Sequence, residues 1–467
     1  YTNRPQSNEQ FSQELRLESI WNDSLKSILG FYLWEREYEI NQQTYFTPLF
    51  FGLPFGPAIE VANGFDQIQE TESWSVFGQV DWMITDALTL SLGGRFLDEE
   101  KDTCGGIGVG PRNARIYDPT VVPGTGVYGN CAGRRPSAAV TNSSNQYTDP
   151  NTGALIEQTG VMSVTDFSPR LALSYQFENG NLLYGSYTQG FRSGGFNGRS
   201  TNAFDHGPYD PEEVSSIEFG YKATMLDQRL AINAAAFFMT YDDKQEEVVF
   251  PALGGAGTVT IVENVEETQI DGFELEVSFI AFEGLTLNAS YGYLDASFED
   301  YQIPFLSGNC TIFDPCTQVG IIDKSHLELR RAPESNYTLG ALYEIALGGD
   351  NFLIGKVNYR WRDDYFTTTN NSAESLVEAF GMLDASLHFE MGDNWRFSLF
   401  GKNLTDEDYI LHALDVGTSF SPASSLAPGV APSGFSGNKA VRTSLGTWSF
   451  GTVNPPRHFG IEIQYSF

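Results

Sequence analysis

Two short stretches carry side chains suited to gripping an oxygen-rich ligand. The first is Arg192, Phe196, Asn197 and Arg199, within SYTQGFRSGGFNGR (Ser186 to Arg199). The second is Arg362, Tyr365 and Phe366. Guanidinium forks bind carboxylates or phosphates, and aromatic faces stack on sugars or ring systems. Together they suit an anionic metal chelate or an oligosaccharide. The glycines of the first stretch support a second reading, in which the motif serves the folding of a loop.

Other chemistry is poorly provided for. The five histidines (206, 326, 388, 412 and 458) are scattered, and none stands in a His-Glu-x-x-His frame. Ser193-Gly194-Gly195 lacks the Gly-x-Ser-x-Gly spacing of a nucleophile elbow. Paired carboxylates such as Asp242-Asp243 and Glu246-Glu247 suit an acidic rim as well as they suit acid–base work. No catalytic constellation is expected, and no cofactor. The acidic run Asp205, Asp210, Glu212, Glu213 could hold calcium, although it lacks an EF-hand frame.

The elements that would position these residues are strands. The chain closes on PRHFGIEIQYSF, where Phe459, Ile461, Ile463, Tyr465 and Phe467 share one parity and Gly460, Glu462, Gln464 and Ser466 the other. Side chains alternate at period two along a strand, so this segment has an apolar and a polar face. The same alternation recurs upstream. Leu171, Leu173 and Tyr175 oppose Arg170, Ser174 and Gln176, and Phe273, Leu275 and Val277 oppose Glu274, Glu276 and Ser278.

Short turns are expected at Asn22-Asp23, Thr85-Asp86, Asn179-Gly180, Leu226 to Gln228, Phe282 to Gly284, Gly348 to Asp350 and Gly392 to Asn394. The arms around them, with the terminal strand, make about fifteen strands. The first two are placed at Gln10 to Ser19 and Leu25 to Tyr38. Long polar connections run from Glu39 to Ile68 and from about Lys101 to Met162. Short turns on one side and long loops on the other are the layout of a transmembrane antiparallel β-barrel, with periplasmic turns and extracellular loops. A β-sandwich or propeller would space its strands more evenly.

Composition agrees. Aromatics are 14% of the 467 residues and glycines number 47, as girdles and tight turns require. Trp34, Trp82, Tyr175, Tyr293, Trp361 and Trp395 near strand ends fit interfacial belts. No run of about 18 apolar residues exists that would make a spanning helix. With 27 basic and 60 acidic residues the formal charge is −33, which argues against nucleic acid as a partner. The four cysteines pair by position, Cys104 with Cys131 and Cys310 with Cys316, which suggests two disulfides in loops of an oxidising compartment.

Parity adds an orientation. If the last strand ends in the periplasm, every short turn is periplasmic and Tyr1 lies outside the cell. An odd strand count also departs from the even-number rule for bacterial single-chain barrels. Both suggest a C-terminal piece of something longer.

The stretch SQELRLES (Ser12 to Ser19), the motif Ser186 to Arg199, the strand and turn NWRFSLFGKNLTDEDY (Asn394 to Tyr409) and the terminal strand, in that order, resemble the barrel of a TonB-dependent outer-membrane receptor. The resemblance covers nearly the whole chain as architecture and is sequence-specific at those motifs. It implies a 22-stranded barrel, of which residues 1–467 would supply the last fifteen strands, without the N-terminal plug, the TonB box and the first strands. It implies binding of a scarce nutrient (ferric siderophore, cobalamin, oligosaccharide or similar) at the extracellular loops, and import driven through the TonB–ExbB–ExbD complex. The terminal residues Phe459, Ile461, Ile463, Tyr465 and Phe467 look like the signal read by the barrel-assembly machinery. The surroundings would be outer-membrane lipid and lipopolysaccharide. Luminal Arg16, Arg95, Arg170, Lys222, Arg360 and Arg362, among Glu14, Glu18, Glu218, Glu274 and Glu462, would touch the plug or simply line a hydrated lumen. Rival readings are a passive porin, a secreted all-β adhesin and an outer-membrane enzyme.

Overall fold

A computed structural model describes residues 2–3, 6–46, 61–111, 147–148, 155–156, 159–197, 207–251, 258–307, 317–416 and 448–467. Fifteen long strands follow one another. They are β1 (Gln6–Asn22), β2 (Leu25–Phe46), β3 (Val61–Met83), β4 (Leu88–Pro111), β5 (Thr159–Gln176), β6 (Leu182–Arg192), β7 (Glu212–Met225) and β8 (Leu230–Pro251). Then come β9 (Thr258–Phe282), β10 (Leu285–Asp300), β11 (Ser335–Gly348), β12 (Asn351–Arg362), β13 (Phe380–Met391), β14 (Trp395–Lys402) and β15 (His458–Tyr465). Each pairs antiparallel with its neighbours in sequence, with β1 and β15 as the two edges among the described residues. A twisted sheet this wide must curl, and it forms a barrel wall.

All seven expected turns are present, and local chemistry explains them. Asn22 Oδ1 accepts the Ser24 N–H at 2.8 Å. Thr85 Oγ1 accepts the N–H groups of Ala87 and Leu88 at 3.2 and 3.0 Å. Such side-chain acceptors replace the backbone partners that a tight turn removes. At the β9–β10 turn Gly284 has φ of +85°, and an added Cβ would sit 2.3 Å from the Glu344 carbonyl oxygen, so only glycine fits.

The strands are longer than their alternation suggested. β2 runs on to Phe46, β3 begins at Val61, and β4 reaches Pro111. The ends of the two segments expected as loops are therefore extended sheet. The alternation fades there because both faces leave the bilayer and become polar, while pairing continues so that the backbone groups stay bonded. Gln67 and Thr103 are buried on these extensions, where Gln67 Nε2 donates to Thr103 Oγ1 at 3.0 Å.

The two faces of the wall differ as expected. One carries Leu171, Leu173, Ile217, Phe219, Leu339, Val357, Leu387 and Leu399, all exposed. An apolar face this large is not stable against water at roughly 25 cal/mol per Å², so it faces lipid. Aromatic contacts cluster at its ends. Trp395 lies 4.7 Å from Tyr465, and Tyr337 stacks on Trp361 at 5.3 Å. The other face is a polar lumen with its own pairings. Tyr184 Oη donates to Glu218 at 2.7 Å, Ser91 Oγ donates to Asp81 at 2.6 Å, and His388 exchanges hydrogen bonds with Ser386 at 2.9 Å and Ser398 at 2.8 Å.

The terminal residues Phe459, Ile461, Ile463, Tyr465 and Phe467 are all exposed on the lipid-facing parity of the β15 edge. Cys131, Cys310 and Cys316 lie outside the described residues, as does the side chain of Cys104, and the expected disulfides with them.

Candidate functional site

The connection from β6 to β7 carries a dense set of polar contacts at the extracellular rim. Ser193 to Asn197 and Gly207 to Pro211 run back along each other, joined by Gly195 N to Tyr209 O at 3.1 Å and Tyr209 N to Gly195 O at 2.8 Å. This ribbon folds against the upper wall and is tied at both ends.

On one side Lys101 of β4 donates to Ser193 Oγ at 2.8 Å and to the Gly194 carbonyl at 2.5 Å. Ser193 Oγ donates in turn to Glu99 at 2.5 Å, and Glu99 lies 3.1 Å from the Lys101 ammonium. A lysine beside a serine raises the question of nucleophilic chemistry. Lys101 donates to the hydroxyl rather than accepting from it, and the serine proton is directed at Glu99, so this is a tether. On the other side Gln245 of β8 donates to the carbonyls of Ser193 at 3.1 Å and Asp210 at 3.0 Å. Asn264 of β9 exchanges two hydrogen bonds with the Asp210 backbone, at 2.8 and 3.0 Å.

The first group of candidate residues falls on this ribbon. Asn197 is buried and bridges the β9 backbone, accepting from Val262 N at 2.8 Å and donating to Val262 O at 3.3 Å. Phe196 is buried over Gly160 of β5, where an added Cβ would meet its ring at 2.3 Å. Both side chains hold the ribbon in place, while Arg192 at its root is exposed. Burial pushes the Tyr209 phenol above its ordinary value. Arg199 lies outside the described residues.

The second group stands at the top of β12. Arg362 is exposed, and its guanidinium lies 5.6 Å from the ring centre of the buried Tyr365. Tyr365–Phe366 pairs with Leu376–Val377 in a small ribbon, and Phe366 O accepts the Arg331 N–H at 2.7 Å. The link onward runs through Arg330, whose Nε donates to the buried Glu246 of β8 at 2.9 Å, with Lys244 on the other carboxylate oxygen. The two candidate groups thus belong to one chain of rim contacts, from β4 through β8 and β9 to β12, without touching each other in any described contact. Glu99, Lys101, Gln245, Asn264 and Arg330 were not singled out in the sequence. The signal available for the first two was Glu-x-Lys on luminal parity at a strand end.

Of the acidic run considered for calcium, Asp205 lies outside the described residues. Glu212 is engaged by the Gln245 N–H at 2.6 Å, and Asp210 meets Asn264 through its backbone. Among the described residues no set of three His, Cys, Asp or Glu side chains is arranged to hold a metal ion. A cavity of about 420 Å³ lies at the opposite end, between the turns of β11–β15, lined by Asp350, Glu390, Asn394, Arg396 and Gln464. It is an open gap between polar turn residues, far from the rim.

A lipid-facing wall of fifteen antiparallel strands, a polar lumen and inward-folded rim loops define an outer-membrane β-barrel. The family described as TonB dependent receptor-like, beta-barrel matches residues 1–404, and the chain belongs to it. Among similar proteins is the probable TonB-dependent siderophore receptor PiuA of Acinetobacter baumannii, 26% identical over 249 residues, which are 50% of this chain and 29% of the relative. Another is the metal-pseudopaline receptor CntO of Pseudomonas aeruginosa, 28% identical over 146 residues, covering 31% of this chain and 19% of that protein. The crystal structure of the ferric yersiniabactin uptake receptor FyuA from Yersinia pestis superposes with a TM-score of 0.65 at 15% identity, over 100% of this chain and 55% of that one. That likeness concerns the fold. The chain thus spans well under two thirds of the length of these relatives.

Proposed function

We propose that this chain is the C-terminal portion of an energised outer-membrane receptor that takes up a scarce nutrient. The unpaired edges of β1 and β15 are then joined by further strands, and a plug with a TonB box completes the protein. The solute, of the ferric siderophore class or a related chelate, cobalamin or oligosaccharide, binds at the extracellular loops. TonB with ExbB and ExbD supplies the energy for its passage to the periplasm. Membership of the receptor family carries this reading, and the relatives named as siderophore and metal-pseudopaline receptors support it.

The rim geometry fits a binding vestibule. The ribbon at Ser193 to Asn197 is a pre-formed inward loop, and Arg192, Arg362 and Tyr365 stand at the mouth, with Arg199 in the same motif. Phe196 and Asn197 contribute by holding that loop. A passive porin is the alternative. Cells expressing the full-length protein are expected to accumulate radiolabelled iron chelate only when TonB is present. Accumulation that is equal without TonB, together with ion conductance in planar bilayers, would leave the porin. An Arg362→Ala variant with unchanged solute affinity would remove that residue from the vestibule.

A further inference from the structure

The last long connection, from β14 to β15, is held at its base by two buried asparagines. Asn403 and Asn454 are 2% and 4% exposed. Asn403 accepts the Glu407 N–H at 2.9 Å, and donates to Glu407 O at 2.8 Å and to Pro455 O, 52 residues on, at 3.4 Å. Asn454 accepts the Tyr409 N–H at 2.9 Å and donates to Glu407 O, 47 residues back, at 2.8 Å. Arg457 closes the same base on Asp406 at 2.9 Å. Each amide thus ties the outgoing leg of the connection to the returning one.

The outgoing leg is also fastened to the wall. The Asn403 N–H donates to Asp384 Oδ1 of β13 at 2.9 Å, while Lys402 and Arg360 meet the other oxygen at 3.2 and 3.4 Å. Leu404 N and Thr405 Oγ1 donate to β13 carbonyls at 2.7 and 3.1 Å. Tyr409 stacks on Phe380 with ring centres 3.7 Å apart. Asn403 holds φ of +53°, a left-handed conformation that asparagine tolerates better than most residues.

Above this base the legs pair as a ribbon, Ile410–Val416 with Trp448–Val453. The ribbon lies against Ala373–Val377 and reaches β8. β8 is six strands from β14, roughly 30 Å along the wall from the usual strand spacing. The layer between them is folded inward. Leu329, in the β10–β11 connection, packs on Val265, Phe298 and Tyr301, and Phe298 stands on luminal parity. Glu328 and Asn371 exchange hydrogen bonds at 2.6 and 3.0 Å, and Arg331 N donates to Phe366 O at 2.7 Å. Three connections therefore form one continuous layer, from the inner face of β8 and β9 to the base at β14. A curved wall is bridged most directly across its hollow side, so the ribbon spans the lumen and not the lipid.

We infer that Asn403 and Asn454 clamp this ribbon as a fixed roof over the luminal wall of β9 to β13. A free connection of this length would sample many positions, and the two buried amides remove that freedom at its base. Arg362, at the top of β12 and exposed, then stands beneath the roof. A solute that meets Arg362 passes under the roof from the side, not through it. That route rests on the uptake reading; the roof itself does not.

The test is thiol labelling of full-length protein in detergent, with Arg362→Cys as the covered site and Arg192→Cys as a reference outside the roof. N-ethylmaleimide is the small reagent and a polyethylene-glycol maleimide the bulky one. Labelling of the parent's own four cysteines is subtracted. Arg192→Cys is expected to react with both reagents. Arg362→Cys is expected to react at least about ten-fold more slowly with the bulky one, because bulky labelling waits for local opening. Adding N403G/N454A is expected to abolish that difference and to accelerate hydrogen exchange at the Glu407 and Tyr409 amides. Glycine keeps the left-handed backbone at position 403, so loss of the clamp is separated from strain. N454A alone leaves the Asn403 contacts in place; it should narrow the difference, and it serves if the double variant fails to assemble. Equal labelling of Arg362→Cys by both reagents overturns the roof. A size difference that the asparagine variants leave unchanged overturns the clamp. Neither readout uses a solute, so a failure of TonB-driven import would sink the uptake reading without touching this result.

Discussion

Lys101 and Ser193 are 92 residues apart in the chain, and the ammonium of one donates to the hydroxyl of the other at 2.8 Å. With Glu99 they fasten the β6–β7 ribbon to the upper wall. Their environment is largely buried, so the pair is more than a surface contact.

Lys101→Met is expected to free the ribbon, because it removes the donor to Ser193 Oγ and Gly194 O and leaves the buried Glu99 without its cation. The local cost is about 1–3 kcal/mol. Hydrogen exchange should accelerate at Gly195 and Tyr209, whose backbone groups pair across the ribbon. Unchanged protection there would show that Gln245 and Asn264 hold the ribbon alone.

Gly160→Val is expected to eject Phe196, whose ring occupies the place of the new side chain. Small-to-large changes in packed sites cost roughly 1–3 kcal/mol. Cleavage within the β6–β7 connection under limited proteolysis should increase, with the barrel itself still resistant. Identical digestion of variant and parent would remove Phe196 as an anchor.

Arg330→Ala is expected to loosen the segment between β10 and β11. Glu246 keeps Lys244 but loses the Arg330 donor, at a local cost of about 1.5–3 kcal/mol. Faster exchange at the Arg331 N–H, which bonds to Phe366 O, is the readout. The ribbon at Tyr365 should move with it, coupling this ion pair to the Arg362 side of the vestibule.

Leu171→Arg and Ala172→Arg test which face meets lipid. Leu171 is exposed on the apolar parity, while Ala172 lies between Ser91 and Ser186 on the luminal one. A charge on the lipid face near mid-bilayer costs about 2–4 kcal/mol, and a luminal one far less. Denaturant unfolding in lipid vesicles should separate the two variants by that margin. Equal destabilisation would contradict the assignment of faces.

Much of this architecture is legible without coordinates. Leu171, Leu173 and Tyr175 against Arg170, Ser174 and Gln176 announce a strand and its two faces, since period two is a local property of extended backbone. Asn22, Thr85 and Gly284 announce turns, since turn chemistry is also local. Strand ends were less legible. Phe46, Val61 and Pro111 bound strands that leave the bilayer, where polar residues occupy both faces and the alternation carries no signal.

The candidate site divides in the same way. Arg192, Asn197 and Arg362 drew attention by residue type, but type does not say which side chain is spent on structure. Asn197 is spent on Val262, 65 residues away, and Phe196 on Gly160. Asp384 and Lys402, 18 residues apart, meet only because β13 and β14 pair in one register, and Arg360 joins them through the next.

Sequence alone therefore determined the strands, their faces, the short turns and the resemblance to a receptor barrel, because each rests on the order of neighbouring residues. Tertiary structure decided which polar groups meet at the rim and on the luminal wall. Those meetings depend on register and curvature summed over many strands, and no short stretch of sequence encodes that sum.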